Sequence, residues 1–144
     1  IQRVYDYIHT FPLYSPNLLE ARKLFGDRPV ADTLRALAAL GPRYVVLRMG
    51  GRGSVTYDAT TGESWSVPVV PVAVVDVTGG GNAYIGGMIV GLCEGRGLPE
   101  AAVMGAVAAS FMLEQFGPPT ITPALEEQAR IRYEQLLPRI TRLS

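Results

Sequence analysis

The chain has one cysteine and one histidine in 144 residues, its only lysine is Lys23, and its thirteen basic and thirteen acidic side chains cancel. Each scarcity removes a class of function. A single thiol, Cys93, cannot close an internal disulfide, and its place in a helix-like apolar run predicts a buried, inert side chain. His9 has no acidic or cysteine partner at ligand spacing, so it reads as a surface or helix-end residue, and there is no zinc spacing, internal repeat or low-complexity tract. Zero net charge argues against nucleic acid or an acidic membrane surface as the main partner. The longest apolar runs, residues 83–93 and 101–113, fall short of the roughly 20 residues a membrane helix needs and read as helices buried beside a sheet. No signal-peptide pattern is visible, and a cytoplasmic location is the expectation. The first residue is Ile1 rather than methionine, which suggests a piece of a longer protein. Small-molecule chemistry is what these absences leave.

What the chain does have is glycine in one telling place. The run Asp76-Val77-Thr78-Gly79-Gly80-Gly81-Asn82 follows an apolar, β-rich segment over residues 69–75 and precedes an apolar segment of helical length. The expected order is strand, loop, helix. Glycines let a ligand approach bare backbone, and the first helical turn offers unpaired N–H groups at the positive end of the helix dipole. An anion site is the physical product, although a tight turn alone would also use three glycines. Asp76 and Thr78 stand at the expected carboxyl edge of the strand, where open α/β sheets bind ligands, and Asn82 is a polar residue at the mouth of an apolar helix. Two common phosphate motifs fail here. Residues 81–86 have the P-loop spacing, but Gly87 stands where its lysine belongs; the dinucleotide fingerprint fails because Tyr84 replaces its third glycine.

The remaining elements can be read in order. Residues 1–10 have helical apolar spacing and lead into a short strand over 11–14. Asn17 then opens a helix that Gly26 stops, and Asn17 with Glu20 has the spacing of a capping box. A second helix spans 29–40. Strands over 44–49, 54–58 and 63–67, joined by turns at Gly50-Gly51-Arg52-Gly53 and Thr61-Gly62, predict an antiparallel meander, with Pro68 and Pro71 limiting pairing beyond it. Trp65 reads as strand packing. Pro99 suits the start of an alanine-rich helix over 100–114, and Pro123 the start of a more polar one over 124–137. Together these predict an α/β layered fold, a mainly parallel sheet with an antiparallel portion, flanked by helices.

The glycine stretch resembles the C-terminal signature of the ribokinase-like (PfkB) carbohydrate kinase family, usually Asp-Thr-Thr-Gly-Ala-Gly-Asp followed by Ala-Phe and a Gly-Gly pair. This chain keeps the spacing through Ala83-Tyr84-Ile85-Gly86-Gly87 but has Asn82 where the family has its catalytic aspartate. A fungal branch of the family is similar in carrying Gly-Gly-Gly-Asn there. The resemblance implies that Gly79, Gly80 and Gly81 form an anion hole for the transferring phosphate. Ser15-Pro16-Asn17 with Glu20 resembles the Asn-x-x-Glu motif that organises water and Mg²⁺, an alternative to capping that can coexist with it. Asp76 and Thr78, by resemblance, support a monovalent cation such as K⁺.

At the first turn of the meander the family has Thr-x-Gly-x-x-Gly; Gly50 and Gly53 match its glycines, and Arg48 replaces its threonine. The resemblance implies a nucleotide-phosphate loop, in which Arg48 either contacts phosphate or hinders ATP; a plain hairpin turn is the alternative. Ala109 and Gly117 are similar to the family positions bordering adenine and the cation loop, and small residues there also permit close helix packing. The implied activity is ATP-dependent phosphoryl transfer to a sugar or nucleoside hydroxyl, weakened at Asn82; the alternative is an impaired nucleotide-binding pseudokinase with a regulatory role. Only the C-terminal half of the family fold is covered, so residues 1–144 are expected to be its nucleotide-binding portion. The acceptor-binding residues and the lid through which homodimers form would lie upstream.

Overall fold

Strand β2 (Tyr44–Arg48) explains the layering of the molecule, because Val45, Val46 and Leu47 are all completely buried although consecutive strand residues point to opposite faces. Such a strand needs cover on both sides. On one face Val45 and Leu47 pack with Ala21 of helix α1 (Leu18–Phe25) and with Leu34 and Leu37 of helix α2 (Val30–Ala38). On the other, Val46 packs against Tyr84 and Met88 of helix α3 (Gly80–Cys93) and against Val103 and Ala106 of helix α4 (Leu98–Leu113). This computed structural model describes residues 6–143. Residues 6–8 are helical, as the spacing predicts, and the rest of that expected helix over residues 1–5 lies outside the described residues.

The sheet has five strands in the order β1 (Leu13–Tyr14), β2, β3 (Ser54–Asp58), β4 (Glu63–Val67) and β5 (Thr141–Leu143). The α/β layers and the antiparallel meander are as expected, but the sheet is mixed rather than mainly parallel. Only β1 and β2 pair in parallel, and the other three junctions are antiparallel. Short connections require this at two of the three, since parallel neighbours need a long crossover and β2, β3 and β4 are joined by brief turns. Strand β5 has no sequence signal of its own. It follows helix α5 (Pro123–Leu136) and extends the edge beside β4, where Arg142 reaches Glu63 at 2.8 Å.

Two further expectations are corrected. Residues 69–75 form no strand and run as irregular backbone into the glycine loop. Pro68 and Pro71 each lack a donor for a ladder, and the segment is tied instead by the Val75 and Asp76 N–H groups, both donated to Leu113 O at 2.7 and 3.3 Å. Cys93 is exposed rather than buried. The buried stripe of α3 runs through Gly80, Tyr84, Met88 and Gly91, and Cys93 falls on the opposite side of the helix. His9 is exposed at a helix end, as expected.

Helices α3 and α4 touch through their backbones. A Cβ on Gly87 would lie 2.7 Å from Met104 O, one on Gly91 2.9 Å from Ala101 Cα, and one on Gly105 2.6 Å from Tyr84 O. The glycines therefore set how deeply α3 sits, and with it where the glycine loop lies.

Candidate functional site

Helix α3 begins directly out of the glycine loop. Gly79 is left-handed at φ +81 and offers no side-chain cap, so the helix start is left to its own N–H groups. The Gly80 N–H turns back to Val77 O at 3.3 Å, and the Ala83 N–H opens the helical ladder on Gly79 O at 2.9 Å. The N–H groups of Gly79, Gly81 and Asn82 have no backbone acceptor among the described residues. Gly80 and Gly81 line a cavity of about 470 Å³, a volume in the range of small-molecule sites.

Arg48, at the end of β2, lies across this helix start. Its Nε donates to Ser15 Oγ at 3.2 Å and its Nη2 to Ser15 O at 2.9 Å, which anchors one side of the guanidinium to the β1–α1 connection. The Nη1 side is turned to the glycine loop, and a Cβ on Gly81 would come within 2.3 Å of it. A larger residue at 81 would therefore displace the guanidinium end of Arg48. Arg48 has no carboxylate partner among the described residues, so its charge and the helix dipole both favour an anion in the cavity.

The cavity is shared by the other glycine turn and by α1. Gly50 (φ +58) and Gly53 (φ +81) bound a 3₁₀ turn between β2 and β3, and both line the cavity. A Cβ on Gly53 would fall 2.3 Å from Val67 O. Asn17 lines it too, and is fixed by a complete capping box: Asn17 Oδ1 accepts from the Glu20 N–H at 2.8 Å, and Glu20 Oε2 accepts from the Asn17 N–H at 2.7 Å. Ala109 completes the expected residues that meet there.

Others stand outside the lining. Glu20 is exposed behind its cap, and Gly117 (φ +73) lies in the exposed loop after α4. Asp76 Oδ1 accepts from the Thr78 N–H at 3.0 Å and the Thr78 hydroxyl at 2.8 Å, and these bonds hold its carboxyl below the usual range. Asn82 is exposed on the first turn of α3, and its side chain makes no hydrogen bond to the described residues. Gly79 flanks the cavity as the cap of α3.

Three polar residues of the wall were not anticipated. Ser54 and Tyr84 place their hydroxyl oxygens 2.6 Å apart, and Ser110 accepts from Arg132 Nη1 at 2.8 Å while donating to Val107 O at 2.6 Å. Serines in a strand and a helix carry no distinguishing signal. Tyr84 did carry one, since the family motif has phenylalanine there.

Residues 2–125 match the pfkB family carbohydrate kinase profile. The chain belongs to the pfkB carbohydrate kinase family. It is 36% identical over 107 residues to the cytidine kinase of Thermococcus kodakarensis, covering 74% of this chain and 38% of that one. It is 30% identical over 128 residues to Protein MAK32 of Saccharomyces cerevisiae, covering 77% of this chain and 35% of that protein. Little more than a third of either relative is thus spanned. Among solved structures, a probable sugar kinase from Rhizobium etli superposes with a TM-score of 0.79 at 26% identity, over 90% of this chain and 39% of that one. Phosphofructokinase-2 from Escherichia coli in complex with potassium shares the fold with a TM-score of 0.79 at 21% identity, over 95% of this chain and 45% of that one.

The residues of this pfkB domain fit a nucleotide polyphosphate: N–H groups without a backbone acceptor and a guanidinium without a carboxylate partner, both among the described residues, adjoin a partly apolar cavity. No group of three or more His, Cys, Asp or Glu side chains capable of holding a metal occurs among the described residues. A protein cage for Mg²⁺ is therefore not what the described residues offer; Asn17 lines the cavity, while Glu20 stands outside it with one carboxylate oxygen engaged in the cap.

Proposed function

We propose that this pfkB domain binds ATP with Mg²⁺ in the cavity between its two glycine turns and takes part in phosphoryl transfer to a hydroxyl of a sugar or nucleoside. One observation carries the reading. The Arg48 guanidinium, without a carboxylate partner among the described residues, lies against the start of α3, beside N–H groups with no backbone acceptor among those residues, on a cavity shared with Asn17 and Gly50.

Phosphoryl transfer needs its reactants positioned and the developing charge neutralised. The Gly79 and Gly81 N–H groups would hold phosphate oxygens, and Arg48 would supply the positive charge. Gly50 and Gly53 allow phosphate to approach the turn backbone, and the Ala109 face offers apolar contact to the base. Mg²⁺ neutralises phosphate charge when bound. Asn82 stands where the acceptor hydroxyl would lose its proton, and a neutral amide has no basic oxygen near pH 7. Slow turnover is the expected consequence.

Asn82 also favours a second reading, a nucleotide-binding pseudokinase that works through conformation or partner binding. Calorimetric titration with MgATP and a product assay over a panel of sugars and nucleosides separate the two. Measurable MgATP binding with robust product formation supports the enzyme; binding without product supports the pseudokinase; absence of binding removes both. Arg48→Gln is expected to weaken MgATP affinity about tenfold or more, the usual loss of a charge-assisted hydrogen bond in a shielded site. An unchanged affinity would show that Arg48 only braces the Ser15 turn.

A further inference from the structure

Ser54 is 2% exposed and Tyr84 7%, yet both line the cavity, with their oxygens 2.6 Å apart. Each hydroxyl brings one hydrogen, and the bond between them uses one of the two whichever residue donates. Neither hydroxyl has another partner among the described residues, so one O–H is left unspent within a buried pair. Buried donors are seldom left without an acceptor. The open space they face is the cavity.

Placement narrows what that acceptor is. Tyr84 follows Gly80 by one helical turn on the buried stripe of α3, with its ring against Gly105 of α4 and its hydroxyl at Ser54. Ser54 directly follows Gly53, so the pair joins the end of one glycine turn to the helix leaving the other. Burial pushes the Tyr84 phenol up to about 12, against the opposing effects of the Ser54 hydrogen bond and the Arg48 charge. Tyr84 therefore keeps its proton at neutral pH, so both hydroxyls of the pair carry a hydrogen. The Ser54–Tyr84 pair, the start of α3 and a guanidinium without a carboxylate partner among the described residues all line the same cavity, which suits an acceptor-rich anion.

We propose that the Ser54–Tyr84 pair donates its unspent hydroxyl hydrogen to the polyphosphate chain of the bound nucleotide. This rests on the nucleotide reading above and adds two binding residues to it. The family motif has phenylalanine at the Tyr84 position, so the contact is a departure of this chain from that pattern.

Titrations of the full-length protein with MgATP, inorganic tripolyphosphate and adenosine test it, using the natural sequence, Tyr84→Phe, Ser54→Ala and the double variant. Either single variant keeps one hydroxyl with its hydrogen and is expected to lose less than the double. The double variant is expected to bind MgATP and tripolyphosphate about tenfold more weakly, or worse, with adenosine unaffected. Replacing both bonded oxygens by apolar groups of the same shape leaves stability nearly unchanged, and melting of the free protein checks this. Equal MgATP affinity of the natural protein and the double variant overturns the proposal and leaves the nucleotide site standing. A loss shared equally by adenosine also overturns it, because the pair would then serve the base or the framework. Absence of MgATP binding by the natural protein overturns the nucleotide reading and this proposal together.

Discussion

Asn82→Asp is expected to raise turnover by about 10² to 10⁴, the usual contribution of a general base, equivalent to roughly 3 to 5 kcal/mol of barrier. The residue lies on the first turn of α3, next to the glycine N–H groups. Its amide is exposed and engaged in no hydrogen bond to the described residues, so a carboxylate of the same shape needs no rearrangement to take its place. A negative charge in the first helical turn also suits the dipole. The cost is repulsion toward the phosphates, which the Arg48 guanidinium partly offsets. The gain should therefore appear mainly in kcat, with the KM for ATP moving only a few-fold. Its signature is a new pH dependence, with the rate rising as the introduced carboxyl loses its proton. Single-turnover rates for both proteins across a pH series make the comparison. Unchanged turnover in a variant that still binds MgATP would mean that position 82 does not meet the acceptor hydroxyl.

The second large effect concerns stability, and it sets two helical glycines apart. Gly105→Ala should lower stability by about 2 kcal/mol, within the range for overpacked cores, and the melting temperature by roughly 6 °C. The new methyl would lie 2.6 Å from Tyr84 O and 3.1 Å from the Tyr84 ring, and no rotamer change moves a backbone oxygen. Gly86→Ala should do the reverse and add about 0.5 to 1 kcal/mol, because nothing lies within 4 Å of its Cβ position and alanine restricts the unfolded chain. Helix propensity alone ranks both changes as stabilising. Thermal melts of the two single variants decide the matter. Equal stabilisation by both would mean that α3 and α4 do not approach as closely as their backbones do here.

The residues proposed to carry phosphate chemistry stood out because their spacing is local. Gly79, Gly80 and Gly81 sit at a helix start, Asn17 and Glu20 fall three apart in a capping box, and Gly50 and Gly53 frame one turn. Turn and cap geometry depend on neighbours in the chain, so such patterns survive without knowledge of the fold. Arg48 was readable as a candidate but not as a geometry, because its anchor, Ser15, and its contact, Gly81, belong to distant segments. The segment 69–75 misled for the opposite reason. Its valines have strand propensity, but pairing needs a partner strand and free N–H groups, and Pro68 and Pro71 with the Leu113 carbonyl settled it otherwise.

Sequence alone determined the family, the order of helices and meander strands, and the place where an anion could meet bare backbone, since each follows from short-range pattern. Tertiary structure alone decided that the sheet is mixed, that β5 closes its edge, that Cys93 faces outward, and that Ser54 and Tyr84 meet across thirty residues of chain. The physical reason is common to all four. Each depends on which surfaces are pressed together once the chain has folded, and the close backbone contact of α3 with α4 fixes that arrangement around the cavity.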